Sequence, residues 1–197
     1  MSNPKGSACL HAAPRETRQR EPWSSGGGFT EVIRREPDNA DWNIRVSIAR
    51  VERDGPFSEL EKTRRILVPL DAAMTLRFSD GRELSAARFD VLRFDGSPAP
   101  FGALPEGPTR DFNLMLRGDA RGEMLARTLV DSMVLLHETD VRWLIFVNRG
   151  HASVSVGEES LTLESDDAAW IDFAVEPSPN RTVIEGAGEI VLVKLYA

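Results

Sequence analysis

Residues 42–51 alternate between apolar and polar side chains. Trp42, Ile44, Val46 and Ile48 fall on one face of an extended strand, and Asn43, Arg45 and Ser47 fall on the other. Residues 111–117 repeat the pattern, with Phe112, Leu114 and Leu116 opposed to Asp111, Asn113, Met115 and Arg117. If the two strands share a sheet, Arg45, Ser47, Asp111 and Asn113 line one polar surface. Two readings of that surface stand. It is a solvent face on which Arg45 and Asp111 form a cross-strand ion pair, contributing under about 1 kcal/mol, or it is the floor of a polar pocket.

The same periodicity predicts strands over 30–35, 64–71, 73–79, 82–86, 89–94, 142–148, 152–156, 159–164, 168–173, 181–185 and 189–196. Turn signals separate them: Asp54-Gly55-Pro56, Ser79-Asp80-Gly81, Asp95-Gly96 and Gly186-Ala187-Gly188. Residues 124–136 fit a helical stripe as well as a strand, and the β-rich surroundings favour the strand. Many short strands at close spacing predict an all-β barrel or sandwich. A faint internal echo at a separation of 77 residues matches Leu70-Asp71 with Val147-Asn148, Leu84 with Leu161 and Phe94-Asp95 with Ile171-Asp172. It suggests two similar β units in tandem. The expected organisation is a flexible extension over 1–20, an N-terminal unit over 21–118 and a C-terminal unit over 119–197, with strands exchanged between the units.

The chain has 197 residues and 41% hydrophobic content, enough for a substantial core. Its formal charge of -7 argues against nucleic acid as a partner. The single cysteine, Cys9, excludes an intrachain disulfide. No apolar run reaches membrane-spanning length, and the first 20 residues lack the apolar stretch of a secretory signal. A soluble, cytoplasmic protein is expected.

Five blocks in order then carry a family resemblance: P-W-S-S-G-G-G-F-T at 22–30, D-W-N-I-R-V-S-I-A-R-V at 41–51, G-P-F-S at 55–58, F-D-G at 94–96 and D-F-N-L-M-L-R at 111–117. From about Trp23 to Tyr196 the chain resembles the HutD/Ves family of cupin-like proteins. The resemblance implies a bicupin of two RmlC-like jelly-roll units, often a homodimer, associated with histidine utilisation and not established as catalytic. Departures fall in loops. Ser25-Gly26 replaces an Asn-Gly, Glu61-Lys62 replace a Pro-Gly before Arg65, which takes the family's arginine position, and Phe94-Asp95-Gly96-Ser97 replaces F-x-G-D.

A catalytic metal is not expected. His11, His137 and His151 are the only histidines, and Ser153 stands where a cupin's paired histidine should be, with Glu158 and Glu159 nearby. His137 beside Glu138 reads as a surface turn, and Ser58 lacks a nucleophile elbow. What remains is binding. Arg45 and Arg65 can each grip a carboxylate through paired hydrogen bonds. Ser47 and Asn113 offer neutral polar contacts, Asp111 holds an arginine by charge, and Met115 lies on the same face. Trp23, Gly27 and Ser58 are candidate loop contacts. The expected function is metal-free, cofactor-free binding of a small carboxylate metabolite, urocanate- or formylglutamate-like, in a regulatory or buffering role. The alternatives are a metal-independent isomerase or hydrolase using His137 or His151, and a protein-interaction module.

Overall fold

The computed structural model describes residues 9–23, 28–138, 140–172 and 181–196. In chain order the strands are β1 (Cys9–Ala13), β2 (Gln19–Pro22), β3 (Gly28–Glu36), β4 (Ile44–Val51), β5 (Gly55–Pro56), β6 (Thr63–Pro69), β7 (Met74–Arg77) and β8 (Glu83–Ala86). They continue with β9 (Leu92–Asp95), β10 (Phe101–Ala103), β11 (Thr109–Arg117), β12 (Arg121–Leu136), β13 (Val141–Val156), β14 (Glu159–Glu164), β15 (Ala168–Asp172) and β16 (Arg181–Tyr196). A 3-10 turn at Arg15–Thr17 is the one helical element among the described residues. The all-β expectation holds.

The chain divides into two compact units, residues 18–120 and residues 1–17 with 121–197. In the first, β2-β3-β4-β11-β6-β9 form a six-stranded sheet and β5-β10-β7-β8 a four-stranded one. Between them lies a core of Val51, Leu67, Leu92 and Phe94 from the larger sheet with Met74, Leu76 and Ala86 from the smaller. The tip of the β7–β8 hairpin needs Gly81, whose φ of 86° suits a residue without Cβ. On the larger sheet Ile44, Val46, Ile48, Phe112, Leu114 and Leu116 are all buried, as their alternation predicts. The opposite face of the same strands is buried too: Ser47, Asp111 and Asn113 are at most 1% exposed. The solvent-face reading therefore fails.

In the second unit β1-β15-β13-β16-β12 form one sheet, with β14 also pairing β13. Its core includes Leu129, Trp143, Ile145, Val154, Ile171, Ile184 and Leu192.

Four expectations need correction. The extension over residues 1–20 is structured from Cys9 onward: β1 pairs with β15 and β2 with β3. Q-R-E-P and C-L-H-A-A show no useful alternation because edge strands are held by backbone hydrogen bonds, which leave little trace in side-chain pattern. The division between units also differs, since residues 9–17 belong with the C-terminal unit and not with a separate tail. Strands 142–148 and 152–156 are one strand, and the turn expected at Gly186-Ala187-Gly188 lies inside β16. There a Cβ on Gly188 would stand 1.9 Å from the Arg149 carbonyl oxygen, and one on Gly150 would stand 2.0 Å from that of Ala187. Close backbone approach, beside a register shift between Val147 and Arg149, is what these glycines permit. Residues 124–136 are strand, within β12.

Candidate functional site

The register of β4, β11 and β6 sets three cross-strand rows on the inward face of the larger sheet. Arg45 lies opposite Met115, which lies opposite Arg65. Ser47 lies opposite Asn113, and Ala49 opposite Asp111. Outside them β3 sets Thr30 beside Ala49, and β2 sets Glu21 beside Thr30. These rows floor a hollow of about 340 Å³, walled by Trp23, Phe57, Ser58 and Leu60 from the loops. Its volume falls at the small end of the roughly 300–1,000 Å³ range of small-molecule sites.

Every ligand-binding and loop-contact residue expected from the sequence, within the described segments, lines this hollow: Arg45, Ser47, Arg65, Asp111, Asn113 and Met115 on the floor, Trp23 and Ser58 at its wall. Gly27 lies outside the described residues. Phe112 is fully buried on the opposite face, and Trp42 lies under the Arg117 guanidinium, 3.6 Å from its ring centroid. The sequence reading missed Glu21, Thr30, Phe57 and Leu60. Thr30 was within reach of simple alternation along β3, whereas Glu21 sits on a strand with no pattern to announce it.

Arg65 is the deeper of the two cations that line the hollow, 4% exposed. Its Nη2 donates to Oδ1 of Asn113 at 2.7 Å, and its guanidinium lies 5.0 Å from the Phe57 ring centroid and 5.1 Å from that of Phe94. The aromatic faces stabilise a cation withdrawn from water. Asn113 Nδ2 in turn donates to Oδ1 of Asp111. Burial pulls the Arg65 pKa down to about 10, against the raising effect of Asp111. Burial also pushes Asp111 up to about 7, even though Arg65, the Asn113 amide and the Ala49 backbone favour its charged form.

Arg45 is closer to the mouth, its side chain 15% exposed. It donates from Nη2 to Oε2 of Glu21 at 2.6 Å, and Arg35 Nη1 reaches the other oxygen, Oε1, at 3.1 Å. Arg45 therefore pairs with Glu21 and not with Asp111. Burial lowers its pKa, opposed by Glu21 and assisted by Arg35 and Arg117. Trp23 donates from Nε1 to Oγ1 of Thr30 at 2.8 Å, which fixes the indole beside the hollow.

Several polar atoms here have no hydrogen-bond partner among the described residues: Arg45 Nε, Arg65 Nε, Ser47 Oγ and Asp111 Oδ2. Unmade hydrogen bonds on buried groups cost about 1–3 kcal/mol each.

The residues do not fit a metal ion. No group of three His, Cys, Asp or Glu among the described residues is arranged to hold one. Both carboxylates of the hollow already face guanidinium groups, which repel a cation. His137 and His151 do not line the hollow. His137 Nε2 meets Thr182 Oγ1 at 2.8 Å, and His151 is exposed on β13 opposite Glu164.

The all-β fold is shared with YhhW from Escherichia coli, at a TM-score of 0.70 and 8% identity over 96% of this chain and 98% of the other, and with Ylba from E. coli, at a TM-score of 0.72 and 8% identity over 98% and 92%. The HutD family model matches residues 15–192, so the chain belongs to the HutD family. It is 32% identical over 184 residues to an uncharacterized 21.2 kDa protein in the hutC 3' region of Pseudomonas putida, covering 90% of this chain and 93% of that one. A conserved Pseudomonas aeruginosa protein of unknown function shares the fold with a TM-score of 0.82, at 23% identity over 96% of this chain and 100% of the other. HutD from Pseudomonas fluorescens does so with a TM-score of 0.78, at 22% identity over 95% and 98%. Among the described residues no helix is long and apolar enough to cross a membrane.

Proposed function

We propose that this protein is a metal-free, non-catalytic bicupin that binds a small carboxylate metabolite of histidine utilisation, urocanate- or formylglutamate-like, in a regulatory or buffering role. The carrying observation is that two guanidinium groups, Arg45 and Arg65, reach one small hollow together with Ser47, Asp111 and Asn113. Arg45 is the anchor a ligand meets first, and Arg65 is the deeper one. Paired hydrogen bonds from a guanidinium to a carboxylate suit both. Membership of the HutD family supports the pathway, which the name of the P. fluorescens relative shares. A cytoplasmic homodimer is part of the same reading.

The test is a thermal shift. Urocanate or formylglutamate at millimolar concentration raises the melting temperature of the wild-type protein, and Arg45→Ala removes the increase. Absence of any shift with either compound overturns the reading.

An interaction role has one specific observation in its favour. On the edge strand β12, Leu125, Val130, Val134 and Leu136 are 49–75% exposed. Replacing Val130 and Val134 by Thr leaves carboxylate binding unchanged and weakens self-association if that strand is the contact between copies, as analytical ultracentrifugation reads directly.

A further inference from the structure

The carboxylate reading accounts for the arginines but leaves the acceptor side of the hollow unused. We propose that Asp111 is the residue that selects the ligand: its Oδ2, beside the Ser47 hydroxyl, requires a small carboxylate that also carries an N–H or O–H donor. This rests on the carboxylate-site reading and goes beyond it by naming what the rest of the ligand must present.

The geometry is specific. Ser47 faces Asn113 and Ala49 faces Asp111, so Ser47 and Asp111 are diagonal neighbours on the same inward face. Both are fully buried and both line the hollow. The Asn113 amide donates to Oδ1 of Asp111, and the Ala49 backbone also favours its charged form. The second carboxylate oxygen, Oδ2, and the Ser47 Oγ have no partner among the described residues. A hydroxyl can rotate to donate or accept, but an ionised carboxylate only accepts. The demand that a ligand must meet at Oδ2 is therefore for a donor. A site built to accept a hydrogen bond discriminates strongly against an analogue that lacks the donor, because the acceptor then stays buried and unpaired.

The demand depends on the charge of Asp111. The charged groups that share its hollow are Arg65 from β6, Arg45 from β4 and Glu21 from β2, and no described histidine lines it. Burial holds Asp111 near neutrality, at about 7. Ionised, it accepts from an N–H. Protonated, it becomes a donor itself, and the preference for donor-bearing ligands weakens.

Pyrrole-2-carboxylate and furan-2-carboxylate isolate the effect, because they share shape and charge and differ in one ring N–H replaced by oxygen. Titration calorimetry at about pH 8.5, well above the Asp111 value, is expected to show the pyrrole acid bound about tenfold or more tightly. The preference is expected to shrink at about pH 5.5 and to vanish in Asp111→Asn, whose amide presents a donor in place of an acceptor. Equal binding of both acids, still abolished by Arg45→Ala, overturns the inference and leaves the carboxylate site standing. Failure of both acids to bind at millimolar concentration overturns the two readings together. A preference that persists in Asp111→Asn overturns the role of this residue. Should that variant not fold, a wild-type preference unchanged between the two pH values overturns it equally.

Discussion

Arg65 and Asp111 are connected through a single amide. Arg65 donates to the Asn113 carbonyl oxygen at 2.7 Å, and the same side chain donates from its nitrogen to Asp111. The chain of two hydrogen bonds fixes which way Asn113 points, because only one orientation offers oxygen to the cation and nitrogen to the anion. It also makes the three residues one energetic unit, in which removing any member exposes the needs of the others.

Removing the cation is therefore expected to be severe. Arg65→Met leaves Asp111 buried without its counter-charge, a class of change that costs about 3–5 kcal/mol. Urea denaturation checks the loss. The deficit is expected to be smaller at acid pH, where Asp111 takes up a proton and no longer needs a cation.

Arg45 behaves differently because its pair with Glu21 is half open to water, with Glu21 40% exposed. Arg45→Ala is expected to reduce stability by under about 1 kcal/mol while abolishing the carboxylate-induced thermal shift. Comparable losses of stability in Arg45→Ala and Arg65→Met would show that Arg45 is structural.

Glu21 occupies the hydrogen-bonding edge of Arg45 that an incoming carboxylate would use. Glu21→Gln weakens that internal competitor and removes a negative charge from the rim. Affinity for urocanate or another small carboxylate is expected to rise several-fold, read by calorimetry at constant pH and salt. An unchanged affinity would place the ligand away from Arg45.

The protonation of Asp111 has a definite sign for stability. Its folded-state pKa of about 7 lies above the ordinary value of 3.8. Between those values the folded protein holds a proton that the unfolded chain has released, so stability falls as pH rises through that window and the penalty is complete above about 7. The slope from this one group is at most about 1.4 kcal/mol per pH unit. Unfolding experiments at successive pH values are expected to show this descent in the wild-type protein and a flatter profile in Asp111→Asn.

The long β13–β16 ladder gives an independent prediction about the fold. Gly188 has φ +143° and no room for a side chain beside the Arg149 carbonyl. Gly188→Ala is expected to lower the urea midpoint by an amount equivalent to about 2 kcal/mol or more, without altering carboxylate binding.

Much of this architecture was legible in the sequence because alternation is strong where one sheet face is apolar. Ile44, Val46 and Ile48 on β4 and Phe112, Leu114 and Leu116 on β11 announce their strands, and Arg45, Ser47, Asp111 and Asn113 follow by elimination onto the other face. Alternation fixes which residues share a face but is silent on whether water reaches it. Here both faces are buried, so the Arg45–Asp111 ion pair of the solvent-face reading gives way to separate partners, Glu21 and Asn113. Glu21 was illegible because β2 is a short edge strand whose position rests on main-chain hydrogen bonds. The glycines of β16 misled for a related reason. Gly186 and Gly188 resemble a turn in composition, but their freedom is used for two backbones to come close within a continuous strand.

The Arg65 guanidinium lies 5.0 Å from the Phe57 ring centroid and 5.1 Å from that of Phe94, and with a pKa of about 10 it is already protonated at neutrality. The positive end of the hollow is consequently indifferent to acidity, while its negative end is not. With Arg45, Arg65, Glu21 and Asp111 all ionised the hollow sums to neutrality, and acidification past the Asp111 transition leaves it with one surplus positive charge. Its pull on anions would then strengthen whenever the surrounding medium turns sour, without any strand having to move.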